Sequence, residues 1–148
     1  MTANAHDACP LPTGPTRDEA AVIARMLRWR RVVIIGASDD PGRASFAIAS
    51  YLLGHEYEVV PVNPNHASVI GLKCYPSLPD VPGRIELVNV FRRPEFCGDV
   101  ARDAIARGAT GLWLQSGIRS DEARRLAREA GIDYIEDRCI MVEHMRRG

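Results

Sequence analysis

The residues best suited to chemistry sit in one short segment, Gly36-Ala37-Ser38-Asp39-Asp40-Pro41-Gly42-Arg43-Ala44-Ser45. Gly36 lets a backbone approach a ligand closely, Ser38 and Ser45 can donate hydroxyl protons, and Arg43 can pair with phosphate oxygens. A helix opening near Ser45 adds its free N–H groups and its dipole to the same preference for an anion. The bland alternative, a plain strand-to-helix turn, stays open at this point. A dinucleotide fingerprint would put glycines where Ser38 and Pro41 stand, and an acidic residue for the ribose where Asn63 and Pro64 stand. Both departures count against a nicotinamide cofactor, while a neutral Asn63 spares an added phosphate from repulsion. No G-x-x-x-x-G-K-[ST] occurs, and the sole lysine, Lys73, lies far along the chain from Gly36, so a P-loop is excluded.

Other polar clusters are less specific. No Ser-His-Asp, Cys-His or paired-carboxylate set stands out in the linear order. His144 and Cys139, five apart beside Glu143, are too few for a metal site, so no metal is expected. His55 and His66 follow a helix stop and a turn, and neither is assigned a catalytic role. Arg93 is expected to pair with Glu95 or to face solvent. Arg124, Arg125 and Arg128 alternate with Asp121, Glu122 and Glu129, as on a solvated helix face.

Elements able to position these residues follow from periodicity. Residues 1–15 hold Pro10, Pro12, Gly14 and Pro15 without an apolar period and are expected to form a mobile tail. Over 16–30, Ala20, Ile23, Ala24 and Leu27 recur at helical spacing behind Asp18 and Glu19, which predicts a leading helix. Beyond it, short β-branched runs alternate with helical stretches: a strand over 32–35, a helix over 45–53 closed by Gly54 as a left-handed cap, and a strand over 57–62. An irregular stretch over 63–83 is long for a compact domain and is expected to be functional. A strand over 85–91 leads into a helix begun by Pro94 and ended by Gly108. A strand over 112–114, a helix capped by Ser120 and stopped by Gly131, a strand over 132–135 and a last helix from Ile140 complete the order. Such alternation predicts an α/β class: a Rossmann-like, doubly wound parallel sheet, three layers α/β/α, in a single domain over 16–148. Its ligand contacts belong at the carboxyl ends of the strands, at Gly36, Asn63-Pro64, Phe91-Arg92, Gln115 and Asp137.

Composition narrows the class further. The chain has 148 residues, 46% hydrophobic and 26% charged, which excludes disorder and low-complexity sequence. Nineteen basic residues against nineteen acidic ones give zero net charge. The protein therefore lacks the broad positive field of nonspecific nucleic-acid or membrane binding, and any anion site must be local. No apolar stretch approaches a membrane span and the first residues form no leader, so a cytoplasmic protein is expected. The four cysteines, Cys9, Cys74, Cys97 and Cys139, are scattered without a C-x-x-C pair and are expected to be reduced thiols.

Taken together, GASDDPGRAS (36–45), YEVVPVNPN (57–65), GLKCYPSLPDVP (71–82), VFRRPE (90–95), WLQSGI (113–118) and DRCIMVEH (137–144) resemble the stand-alone coenzyme A-binding domain proteins. That family is related to the nucleotide-binding domain of the succinyl-CoA synthetase alpha subunit. The resemblance implies a Rossmann-like fold binding coenzyme A or an acyl-CoA through its phosphorylated ADP moiety. By position it implies the diphosphate at Gly36, Ala37, Ser38, Arg43 and Ser45, and the adenosine at Val62, Asn63 and Pro64. Phe91 and Arg92 are implied as groove walls, and Lys73, Tyr75 and Ser77 as parts of a segment closing over it; Gln115 is a further candidate. Coenzyme A is a polyanion, so Arg43, Lys73 and Arg92 are the expected cations. The related ligases also need a phosphohistidine domain and a partner subunit, which 148 residues do not accommodate, so a non-catalytic sensor, carrier or accessory module is the leading expectation. A small NAD(P)-dependent or redox protein on the same fold is the alternative, and a thiol role for Cys139 also stays open. The expected partner is a small molecule; a homodimer or an unidentified protein partner is left open.

Overall fold

The computed structural model describes residues 17–147; the expected tail, Cys9 and Thr16 lie outside them. Helix α1 (Arg17–Met26) leads into β1 (Arg31–Ile35), α2 (Ala44–Leu53) and β2 (Glu58–Val62). A small hairpin, β3 (Ser68–Val69) and β4 (Leu72–Lys73), and a 3₁₀ turn (Leu78–Asp80) precede β5 (Leu87–Val90) and α3 (Pro94–Ala106). Then come β6 (Gly111–Leu114), α4 (Asp121–Ala130), β7 (Asp133–Ile135) and α5 (Ile140–Arg147).

The main sheet is parallel throughout, in the order β2-β1-β5-β6-β7, with Ile35 beside Val62 on one flank and Val90 on the other. Its strands are apolar on both faces because both faces are covered. Val32, Ile34, Leu87, Trp113 and Ile135 pack with Ile23 and Met26 of α1, Ile48 and Leu52 of α2 and Ile140 of α5. Val33, Ile35, Val88, Val90, Leu112 and Leu114 pack with Cys97, Ala101 and Ala104 of α3 and Ala123 of α4. The three-layer α/β/α sandwich of the sequence reading is therefore the fold. After β2 the chain returns past β1 to β5, so α2 and α3 leave the carboxyl ends of neighbouring strands toward opposite faces and a crevice opens between them.

Several element ends differ from expectation. The leading helix stops at Met26 rather than near Arg30, because Arg28 and Trp29 bond back to Arg25 and Met26 in tighter turns. Trp29 then packs where Gly111 offers no side chain: a Cβ there would lie 2.6 Å from its ring. Gly54 is not a left-handed cap, since its φ is −71°; the positive φ falls on Glu56, at 69°, where the chain turns into β2. At α4 the expected caps are present, with the Ser120 hydroxyl accepting from the Ala123 amide at 3.0 Å and Gly131 at φ 74°. Arg124 departs from a purely solvated role by donating to Glu136 at 3.0 Å. The segment over 63–83 holds order through two arginines. Arg107 donates to the carbonyls of Pro79, Val81 and Gly83, and Arg31 donates to those of Pro82 and Arg84 and to Glu58.

These two glycines separate in a stability measurement. Gly131→Ala is expected to lose about 1–2 kcal/mol in urea unfolding, the cost of an L side chain in the left-handed region. Gly54→Ala, in right-handed backbone, is expected to be neutral or to gain up to about 1 kcal/mol.

Candidate functional site

The crevice holds two adjoining cavities, and Gly36, Asn63 and Asn65 line both. One, of about 360 Å³, is walled by Ser38, Arg43, Ala44, Ser45, His66 and Phe91. The other, of about 420 Å³, runs past Val62, Pro64 and Ser77 to Arg92 and the outer face of α3.

The first cavity is built by the turn out of β1. Gly36 has φ 88°, and its N–H donates to the Val62 carbonyl at 3.0 Å while β5 passes alongside; a Cβ here would lie 2.8 Å from the Phe91 carbonyl oxygen. The next residues fold on themselves. The Ser38 hydroxyl accepts from the Asp40 amide at 3.0 Å, and Asp40 accepts from the Gly42 amide at 2.9 Å. Asp39 is drawn away to the β3–β4 turn, where it accepts from the amide of Ile70 at 2.9 Å. Both acidic residues of the loop are thus engaged by backbone N–H groups. The Ser38 proton is left to donate elsewhere. No side chain caps α2, whose first turn carries no acidic residue, and Arg43 stands at its N-cap position. Uncapped amides, a guanidinium and a helix N-terminus at one cavity are groups that suit an oxyanion. Among the described residues neither Arg43 nor Arg92 has a carboxylate partner, whereas Arg25, Arg102, Arg119, Arg124 and Arg146 are all ion-paired.

The second cavity is mixed in charge. Arg92 stacks over the Phe96 ring at 4.3 Å, while Asp99 and Asp103 line the same wall with Val100 between them. Phe96, Asp99, Val100 and Asp103 were not singled out from sequence. Their i, i+3, i+4, i+7 spacing marks one helix face, but nothing in the spacing says that this face meets a cavity rather than solvent.

The candidate residues separate into those that line the groove and those that do not. Gly36, Ser38, Arg43, Ser45, Val62, Asn63, Pro64, Ser77, Phe91 and Arg92 line it. Ala37 is buried behind it, its carbonyl accepting from the Asn63 amide at 2.7 Å, so that Asn63 staples the ends of β1 and β2 together. Lys73 is exposed on β4 with its ammonium 5.2 Å from the Tyr75 ring, and neither of these residues reaches the cavities. Instead the Tyr75 backbone extends the sheet beside β2, through Tyr75 N–H to Pro61 and Asn63 N–H to Tyr75. Gln115 is buried and occupied. Its Oε1 accepts from Asn89 and from the Ile140 amide that begins α5, both at 3.3 Å. Asn89 is fully buried in the central strand, and its Oδ1 has no partner. Arg93 is exposed, as the solvent-facing one of its two expected roles has it, with its guanidinium 5.9 Å from the Phe96 ring.

The thiols are quiet. Burial pushes Cys97 up to about 11 and raises Cys74 as well, so both stay protonated at neutral pH. Cys139 is half-buried at the start of α5 and lines neither cavity. The groove-lining side chains can therefore hold an extended, multiply charged ligand by ion pairs and hydrogen bonds, with one flat wall for stacking. Gly36→Ala is expected to cost about 1–3 kcal/mol in urea unfolding, from the positive φ together with the overlap on Phe91. Unchanged stability would mean that β5 moves aside freely.

Comparison with known proteins agrees with this geometry. The CoA binding domain family matches residues 30–145. The chain is 37% identical over 117 residues to the Bacillus subtilis protein YneT, covering 79% of this chain and 87% of that one. It is 38% identical over 119 residues to the ADP-forming acetate–CoA ligase of Methanocaldococcus jannaschii, covering 75% of this chain but 17% of the ligase. A hypothetical protein from Pyrococcus horikoshii superposes with a TM-score of 0.82 at 38% identity, over 90% of this chain and 92% of that one. The dinucleotide-forming acetyl-coenzyme A synthetase 1 of Ca. Korarchaeum cryptofilum, solved with phosphate and ADP, shares the fold with a TM-score of 0.69 at 23% identity, over 78% of this chain and 27% of that one. A family match over most of its length, on a parallel sheet whose switch point opens an oxyanion groove, places this chain in the CoA-binding domain family.

Proposed function

We propose that this protein binds coenzyme A or an acyl-CoA through its phosphorylated ADP moiety and acts as a non-catalytic, cytoplasmic sensor, carrier or accessory module. The observation that carries the reading is the uncapped N-terminus of α2, with Arg43 at its entrance and Gly36 admitting a ligand to the backbone. In this reading the diphosphate lies on Gly36, Ala37, Ser38, Arg43 and Ser45. The adenosine lies beside Val62, Asn63 and Pro64, and Phe91 and Arg92 wall the groove. Lys73 and Tyr75 belong to the segment that carries Pro76 and Ser77 to the groove, and Lys73 meets the ligand when that segment closes. Gln115 acts at one remove, by fixing the start of α5. The neutral Asn63 suits a ribose bearing a phosphate, since an acidic residue there would repel it.

The match covers 17% of the Methanocaldococcus ligase. Among the described residues, no helix is long and apolar enough to cross a membrane.

Isothermal titration with coenzyme A, dephospho-coenzyme A and NAD tests the proposal. Coenzyme A is expected to bind, and dephospho-coenzyme A to bind more weakly for want of the 3′-phosphate. Arg43→Ala is expected to weaken coenzyme A by about tenfold or more, the loss of a charge-assisted hydrogen bond worth about 1.5–3 kcal/mol. Binding of NAD in preference to coenzyme A, or indifference to Arg43→Ala, overturns it.

A further inference from the structure

At the opposite, amino end of the sheet lies a cavity of about 360 Å³ that the groove does not use, lined by Ala24, Leu27, Arg28, Arg30, His144 and Arg147. We propose that this cavity is a second anion site, taking the phosphate dianion of a small phosphomonoester or of inorganic phosphate.

Its residues come from three parts of the chain. Arg28 and Arg30 flank Trp29 in the connection from α1 to β1, while His144 and Arg147 stand three apart in the last turns of α5. Three guanidinium groups and an imidazole thus share one cavity, and no acidic residue lines it. Cations on the last turn of a helix are ordinary, and the dipole of α5 accounts for Arg147. It does not account for Arg30, which belongs to no helix and lies with its guanidinium 4.9 Å from the centre of the Tyr57 ring. Among the described residues Arg28 and Arg30 have no carboxylate partner. Arg147 shares Glu143 with Arg146, donating from one nitrogen, Nη1, to that carboxylate and to the Glu143 carbonyl.

The imidazole is held in place. His144 Nδ1 is 2.7 Å from the Tyr51 hydroxyl, and the rings of Tyr51, His55 and Tyr57 stand edge-on to it at centroid distances of 5.5, 5.1 and 5.7 Å. Groups facing His144 are therefore Tyr51 from α2, His55 in the turn after it, Tyr57 before β2, Arg30 before β1, and Arg147 on its own helix, whose neighbour Glu143 is held by Arg146 and Arg147. Burial first, then His55 and Arg30, hold its pKa below the ordinary value. A phosphate supplies the missing negative charge, and its oxygens match the guanidinium donors. The volume exceeds what a bare phosphate fills, and Ala24 and Leu27 offer an apolar wall to the carbon skeleton of an ester.

The test uses the full chain in chloride buffer at constant ionic strength, which screens unspecific attraction equally in every arm. Inorganic phosphate and ribose 5-phosphate are titrated while backbone amide and imidazole resonances are followed. Saturable shifts are expected at Arg28, Arg30 and His144, together with a rise in the His144 imidazole pKa on saturation. Arg30→Ala and Arg28→Ala, both at exposed positions, are each expected to weaken binding by roughly tenfold, whereas Arg43→Ala in the groove leaves it unchanged. Tighter binding of the ester identifies a phosphomonoester as the ligand; equal binding identifies free phosphate. Shifts confined to residues 36–45, an unmoved His144, or binding that survives Arg28→Ala together with Arg30→Ala overturns the proposal.

Discussion

The site depends on one close approach, that of the end of β1 to the end of β5. β1 lies between β2 and β5, and its chain must leave the sheet at Gly36 with the Phe91 backbone directly alongside. Any side chain at Gly36 would collide with that carbonyl, and its positive φ already disfavours one. The loop that leaves Gly36 brings the uncapped start of α2, with Arg43 at its N-cap position, to the cavity that Gly36 lines. Because the order reverses here, α3 departs toward the opposite face and leaves the space open. The groove is thus a consequence of strand order, and the side chains that line it are refinements on that opening.

A second constraint is electrostatic. Nineteen basic and nineteen acidic residues balance over the whole chain, so no general field draws in a polyanion. Balance is local at many positions, as in Arg25 with Asp133 or Arg119 with Asp137. Among the described residues, Arg43 and Arg92 beside the groove have no carboxylate partner, and neither have Arg28 and Arg30 at the far end of the sheet. Unpaired guanidinium groups in a neutral protein concentrate positive potential where they stand. The acidic residues of the β1–α2 loop do not cancel it, because Asp39 and Asp40 accept from backbone amides instead.

The element order could be read from the chain with few errors, for reasons visible in single residues. Val32 to Ile35 has no polar member, which only a doubly covered strand tolerates, and Ser120 and Gly131 bracket α4 by their own hydrogen-bonding and conformational preferences. Gly54 misled because a glycine after a helix satisfies the same pattern whether its φ is positive or negative, and the local turn placed the left-handed residue two positions later. The stretch over 63–83 looked irregular because its order comes from partners distant in sequence: Tyr75 pairs beside β2, Ile70 donates to Asp39, and Arg31 and Arg107 donate to carbonyls at its far end.

Within the groove, the half built by one local turn was legible and the rest was not. Gly36, Ser38, Arg43 and Ser45 occupy one local turn, so their types and spacing alone state what they can hold. Gln115 has the same polar character as a ligand contact, yet its amide is spent on Asn89 and on the start of α5. Phe96, Asp99 and Asp103 meet the ligand space only because α3 crosses beside β2 and the Pro76-Ser77 segment. The sequence by itself therefore determined the fold class, the strand-helix order and the turn out of β1 that lines the groove, all of which rest on periodicity and near-neighbour chemistry. Tertiary structure alone decided which distant side chains share a cavity and which cations keep a free charge. Both depend on what packing brings alongside each group, and no local pattern encodes that.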